Sequence, residues 1–230
     1  MTDPEQTIPK IWGILEYKPQ WSVTLKGWLL LALIGVLIFW FSVTRVQGFL
    51  AIQKPIKADA LLIEGWVDDR VIEGAIEEYY RGNYRSIIVT GMPFYRGSYL
   101  REYKNQAEVI TATLVKLGIP PDRIISASIP EVKKDRTAAM ALGVKEKLLQ
   151  DKLDIRSINI YSFDVHTRRS YLIYQRVLKP RFKVGAIAHP NTNYDPDRWW
   201  TSSTGFRSVI EEAIAYVYAR FLWHLESRKP

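Results

Sequence analysis

The chain contains no cysteine, which excludes disulfides, thiolate nucleophiles and cysteine-ligated zinc or iron–sulfur centres. It also lacks the G-x-G-x-x-G and G-x-x-x-x-G-K-[ST] fingerprints, so ordinary dinucleotide and P-loop binding are not expected and no cofactor is called for. There is no G-x-S-x-G elbow, and Ser162, Asp164 and His166 lie too close along the chain to assume triad geometry. Acidic residues are in deficit: 24 Asp and Glu against 32 Lys and Arg leave a net charge of +8, which favours anionic surroundings. The positive residues are scattered. Only Arg81 to Arg85 and His166 to Arg169 cluster, and neither repeats with the aromatic spacing of a nucleic-acid platform, so no nucleic-acid partner is expected. Anionic lipid headgroups or a phosphate-bearing ligand account for the excess at least as well.

What is present begins with one long apolar run. Leu25 to Thr44 reads LKGWLLLALIGVLIFWFSVT, closed by Lys26 and Arg45. About 18 residues rising 1.5 Å each cover roughly 27 Å, close to the hydrocarbon thickness of a bilayer, and Trp21, Trp28 and Trp40 fall at or near the interfaces. A buried core helix of this length would carry a polar stripe. A cleaved signal peptide would show an A-x-A-like site, which Arg45-Val-Gln-Gly-Phe-Leu-Ala lacks. The expectation is an uncleaved anchor over 25–45, with an N-terminal tail over 1–24 and a linker over 46–57. Lys10, Lys18 and Lys26 on one side balance Arg45, Lys54 and Lys57 on the other, so charge alone gives no orientation.

The remaining residues, about 170 of them, suffice for one domain. From Ala58 the pattern alternates between short apolar runs and amphipathic stretches. Strands are predicted at Ala58–Ile63, Ser86–Thr90, Arg123–Ala127, Ser157–Tyr161 and Lys183–Ala188. Helices are predicted at Asp69–Arg81 with Asp68 or Asp69 as cap, Lys104–Leu117 stopped by Gly118 and two prolines, Thr137–Leu149 after Asp135, His166–Leu178 and Phe206–Leu225. Five strand–helix repeats with short connections imply an α/β fold: a three-layer, Rossmann-like domain with a mainly parallel five-stranded sheet, over residues 58–227.

In such sheets ligands bind outside the C-terminal strand ends, where strand order reverses. That edge collects Gly65 and Arg70, Thr90 and Gly91, Thr137, and Ser162 with His166 and Arg169. Gly65 and Gly91 allow backbone to approach a ligand or simply form turns. His166 and Arg169 lie one turn apart on one helix face, where imidazole and guanidinium together suit a phosphate or carboxylate, unless the histidine is satisfied by backbone. Glu64, Asp68, Asp69, Glu108 and Asp164 are acids near that edge. Carboxylates at helix starts are more often caps than metal ligands, so no metal is expected. Asn191 to Gly205, with Trp199 and Trp200, either covers the pocket or packs the last helix. Tyr216, Tyr218, Phe221, Leu222 and Trp223 give that helix an apolar surface suited to a membrane.

Taken in order, ADALLIEGW, SIIVTG, QAEVITATLVKLGIPPDRI, DRTAAMA and YSFDVHTRRS resemble the SanA/ElyC/YdcF-like family of bacterial envelope proteins, from about Ala58 to Trp223. The matched positions are Gly65, Arg70, Gly91, Glu108, Thr137, His166 and Arg169. Arg136 stands where the family pattern has Asn, Ala139 where it has Glu, and Gln106 where it has an acid. The resemblance implies a Rossmann-like fold and a role in envelope biogenesis or barrier function connected with peptidoglycan or its lipid-phosphate carrier. It also implies a single-pass protein of the bacterial inner membrane with the domain on the extracytoplasmic side. The expectation is a binding or low-turnover enzymatic domain that holds a small anionic ligand, phosphorylated or nucleotide-like, between Gly65 and Gly91 as cradle and Arg70, His166 and Arg169 as cations. Its partners are then the lipid bilayer and that ligand. The rival is a non-enzymatic protein that docks a membrane-protein partner through the tryptophan-rich loop and last helix. A metal-dependent phosphoesterase using His166 is a third class.

Overall fold

A computed structural model describes residues 10–18, 20–94 and 102–223. The chain forms two compact units, Met1–Arg45 and Val46–Pro230. In the first, the expected tail folds: β1 (Lys10–Ile11), β2 (Leu15–Lys18) and β3 (Gln20–Val23) make an antiparallel sheet. The β1–β2 turn places Trp12 and Gly13 at positive φ, as tight hairpin connections require. The hydroxyl of Thr24 then accepts from the Gly27 amide at 3.2 Å and starts helix α1 (Leu25–Leu50). This helix is long and apolar enough to cross a membrane. Its few hydroxyls are satisfied within it: Ser42 bonds the Ile38 carbonyl at 2.8 Å, and Thr44 bonds the carbonyls of Trp40 and Phe41, which suits a helix surface in hydrocarbon.

The second unit is a parallel five-stranded sheet with helices on both faces. Its strands are β4 (Ala60–Glu64), β5 (Ser86–Gly91), β6 (Ile124–Ser128), β7 (Ser157–Phe163) and β8 (Lys183–His189), in the order β6-β5-β4-β7-β8. Side chains alternate between two cores. Leu61, Ile63, Ile87 and Val89 pack under α2 (Asp69–Arg81) and α3 (Gln106–Lys116). Leu62, Ile88, Ile158 and Ile160 pack under α4 (Arg136–Gln150) and α5 (Thr167–Leu178). Burial on both faces is why these strands read as continuous apolar runs. The last helix, α6 (Ser203–Val217), is capped by Ser202 and passes into a π-helical turn over Tyr218–Leu222; the expected end at Leu225 lies outside the described residues.

Two local expectations change. Asp68 caps α2, its carboxylate accepting from the Val71 amide at 3.2 Å. Asp135, however, sits at φ 51° before α4 and makes no side-chain cap. The third strand starts at Ile124 rather than Arg123, because Pro121–Arg123 coil into a short 3-10 turn.

The expected linker over 46–57 is part of the domain. Leu50 is buried. The side chain of Gln53 bonds the Ala188 carbonyl at 2.7 Å and its amide at 3.3 Å. Lys54 exchanges backbone bonds with Ala186, and Ile56 is held through both its amide and carbonyl by the Asn159 side chain. The segment covers the outer edge of β8, whose backbone groups would otherwise stay unpaired. Gly185 makes this possible, since a Cβ there would lie 2.1 Å from Asn159 Oδ1 and 2.9 Å from the Ile56 amide.

Candidate functional site

Strand order reverses between β4 and β7: the chain first builds outward through β5 and β6, then returns to the other side of β4. The ends of these two strands open the crevice where ligands of doubly wound sheets bind. Glu64 ends β4 with no exposure, and its carboxylate accepts from Ser162 Oγ of β7 at 3.0 Å and from Ser170 Oγ of α5 at 2.9 Å. A buried carboxylate is tolerable only with such donors.

His166 and Arg169 do converge, and the group that joins them comes from α6. Glu212 Oε1 lies 2.8 Å from His166 Nδ1, while Arg169 donates from Nε to Oε2 at 2.8 Å and from Nη2 to Oε1 at 2.9 Å. Arg169 Nη1 reaches Thr137 Oγ1 at 3.3 Å. Arg169 Nη2 also lies 2.9 Å from His166 Nδ1; the guanidinium only donates and the carboxylate only accepts, so the role of Nδ1 between them turns on the tautomer. The other ring nitrogen, Nε2, faces Glu64, whose Oε2 is 3.8 Å away; it is buried and makes no hydrogen bond. Trp66 sets its ring edge-on to His166 at 4.5 Å between centroids. Burial pushes the Glu212 carboxyl up, but the hydrogen bonds from Arg169 and His166 outweigh it and hold the group at about 2. For Arg169, burial favours loss of charge, yet Glu212 overcomes this and raises the guanidinium above its ordinary value.

These residues form the floor of a cavity of about 540 Å³, within the range of small-molecule sites. One side is polar: Lys133, Asp135, Arg136 and Thr137 stand beside His166, Arg169 and Glu212. The other is apolar, with Met92, Met140, Ile173, Ala215, Ala219 and Trp223. The N-terminal turn of α4, which has no side-chain cap, lines this cavity through Asp135, Arg136, Thr137 and Ala138, and a helix carries its unpaired amides and positive dipole end at that turn. Among the described residues, no group of three or more His, Asp or Glu is placed to hold a metal ion.

Arg70 does not join this site. It is held by Asp68 at 2.8 Å and by Thr192 at 3.2 Å, because α2 packs on the opposite face of the sheet from α4 and α5. Gly65 and Gly91 do not line this cavity either. A Cβ on Gly65 would lie 2.6 Å from the Thr90 carbonyl, and one on Gly91 would lie 2.6 Å from the Ala107 amide. Their small size lets the ends of β4 and β5 meet the start of α3. Gly65 instead borders a second hollow on that face, of about 450 Å³. Glu108 closes a capping box with Asn105, accepting from its side chain at 2.6 Å and from the Lys104 amide at 2.8 Å. Thr90 is fully buried at the end of β5, beside Glu64 in register. Ser162 bonds Glu64 rather than His166.

Trp199 is buried and packs against Phe206 of α6, and neither it nor Trp200 lines the cavity. Glu212 escaped the sequence reading because it follows the exposed Glu211 in an otherwise amphipathic helix, and nothing local separates the two. Asp164, just before His166, takes φ 46° and is buried. It accepts from Tyr194 and, at 2.9 Å, from Gln47 in the last turn of α1. Burial pushes this carboxyl up against the bonds from Tyr194, Asn191 and Gln47.

No protein-family model and no curated protein matches the chain. The site's own geometry and the ordered motifs are therefore what bear on function.

Proposed function

We propose that this chain is a membrane-anchored envelope protein whose domain binds a small anionic ligand, phosphorylated or nucleotide-like, at the sheet switch point. The observation that carries this reading is the uncapped start of α4, which opens with Arg136 and Thr137 into the cavity above the His166–Glu212–Arg169 cluster. Free amides, a helix dipole and two exposed cations, Lys133 and Arg136, converge on one spot. Arg169 serves differently from the sequence expectation. Its fork is occupied by Glu212, so it shapes the floor, and Arg136 and Lys133 supply the free charge. Arg136, a departure from the SanA/ElyC/YdcF pattern, thereby adds a cation where that pattern has an amide.

The apolar half of the cavity suits the non-phosphate part of such a ligand. The resemblance adds the biological setting: envelope biogenesis or barrier function, connected with peptidoglycan or its lipid-phosphate carrier, in a single-pass protein of the bacterial inner membrane with its domain extracytoplasmic.

Binding of pyrophosphate, uridine monophosphate and a short isoprenyl phosphate to the full chain in detergent, read by calorimetry, tests the proposal. Each charge-assisted contact contributes about 1.5–3 kcal/mol, so Arg136→Ala should weaken binding by roughly 10- to 100-fold, and Arg70→Ala should leave it unchanged. Equal affinity for the parent and the Arg136→Ala chain, or no binding of any of the three, would overturn it. The rival docking reading loses its tryptophan loop, since Trp199 is interior, but keeps the outer face of α6.

A further inference from the structure

The face of α6 away from the sheet is apolar and uncovered. Phe206, Ile210, Ile214, Val217 and Phe221 follow at spacings of four, four, three and four residues, which keeps them in one narrow stripe. Their exposures run from 37 % to 66 %. The opposite face of the helix carries what the domain needs: Gly205, Val209 and Ala219 are buried, and Glu212 and Ala215 line the cavity. Phe206 also packs on Trp199, but the stripe from Ile210 to Phe221 is surplus to folding. An apolar band of this length on a soluble surface marks an interaction site.

Three observations identify the occupant. The last turn of α1 belongs to the domain and touches α6 itself: the Phe49 ring stands edge-on to Tyr216 at 5.4 Å, and the Arg168 guanidinium stacks on Phe49 at 3.8 Å. The buried Leu50 lies only five positions beyond Arg45, which closes the apolar run. At 1.5 Å per residue that tether is roughly 8 Å long, so α6 starts its search for a partner at the bilayer surface. Finally, Arg207 on α6 and Arg220 in the π-helical turn that continues it are exposed, with Glu211 as the exposed acid of α6, a balance that suits anionic headgroups.

We infer that α6 is an interfacial helix that seats its Phe206–Phe221 stripe in an anionic bilayer, holding the domain against the membrane surface. This does not depend on what the cavity binds.

The absence of native cysteine allows the full chain to be spin-labelled at single sites, Ile214→Cys or Phe221→Cys, with Glu73→Cys on α2 as the control. Each labelled chain is reconstituted in phosphatidylglycerol–phosphatidylcholine vesicles, and its relaxation is measured with oxygen and with a water-soluble nickel chelate. Labels on the stripe should favour oxygen over the chelate by at least about 3-fold relative to the control, an expectation from burial at the acyl boundary. Two results would overturn the inference. The stripe labels could meet the chelate as freely as the control does, or they could be shielded from both reagents, the signature of a protein surface such as a second copy of this chain.

Discussion

Glu212 should be the most sensitive single position in the domain. It accepts two bonds from Arg169, meets His166 Nδ1 at 2.8 Å and is held at about 2 against an ordinary 4.5. A carboxylate depressed by that much contributes roughly 3 kcal/mol at neutral pH. Replacing it by alanine also strands Arg169, whose side chain is 20 % exposed, and breaking one partner of a buried pair costs about 3–5 kcal/mol. Glu212→Ala should therefore lower the melting temperature of the domain in detergent by about 10 °C, at about 2–4 °C per kcal/mol for a domain of this size. Glu212→Gln keeps the volume and removes the charge, so it isolates the electrostatic part. Because the folded carboxyl is depressed, its stabilisation is complete above the ordinary 4.5 and fades as pH falls toward about 2. The gap between parent and Glu212→Gln should be full at pH 7 and close progressively below pH 4.5. A gap that is absent at pH 7, or unchanged across this window, would refute the reasoning.

Three further outcomes follow from the fold. A domain beginning at Val46 should be more stable than one beginning at Asp59 by several kcal/mol. The shorter chain loses the burial of Leu50, worth about 1.5–3 kcal/mol, and exposes the edge of β8; urea unfolding of the two measures the difference, and equal midpoints would show that the segment only rests on the sheet. Gly185→Ala places a methyl group against Asn159 and should cost about 1–3 kcal/mol, an overpacking penalty seen as a lower melting temperature. Glu108→Ala should remove about 1 kcal/mol of stability through its cap while leaving ligand affinity intact, and a loss of affinity would return Glu108 to the site.

Much of the fold was legible in short-range patterns. Apolar runs such as ALLIE and SIIVT sit on both faces of a parallel sheet and carry the signature of that environment in their own composition. Asp68 announces the start of α2, and His166 and Arg169 are adjacent because three residues on a helix amount to one turn. The apolar stretch from Leu25 was visible for the same reason, as a property of contiguous residues. The segment over 46–57 was harder: its pairing partner lies on β8, more than a hundred residues on, and Gln53, Lys54 and Ile56 look like any polar connection until Gly185 and Asn159 are beside them.

The site shows the division most clearly. The sequence alone determined that the strand ends would gather polar residues, and that a histidine and an arginine would stand together at the start of α5. Only the tertiary structure decided which helices share their face of the sheet. Arg70 was lost because α2 packs under Leu61 and Ile63, whereas α4 and α5 pack under Leu62 and Ile160. Glu212 was gained because α6 folds back over α5. Local propensity acts over a turn or two of chain, but the side of the sheet a helix covers is set by which arrangement buries the most apolar surface at once, and that is a property of the whole domain.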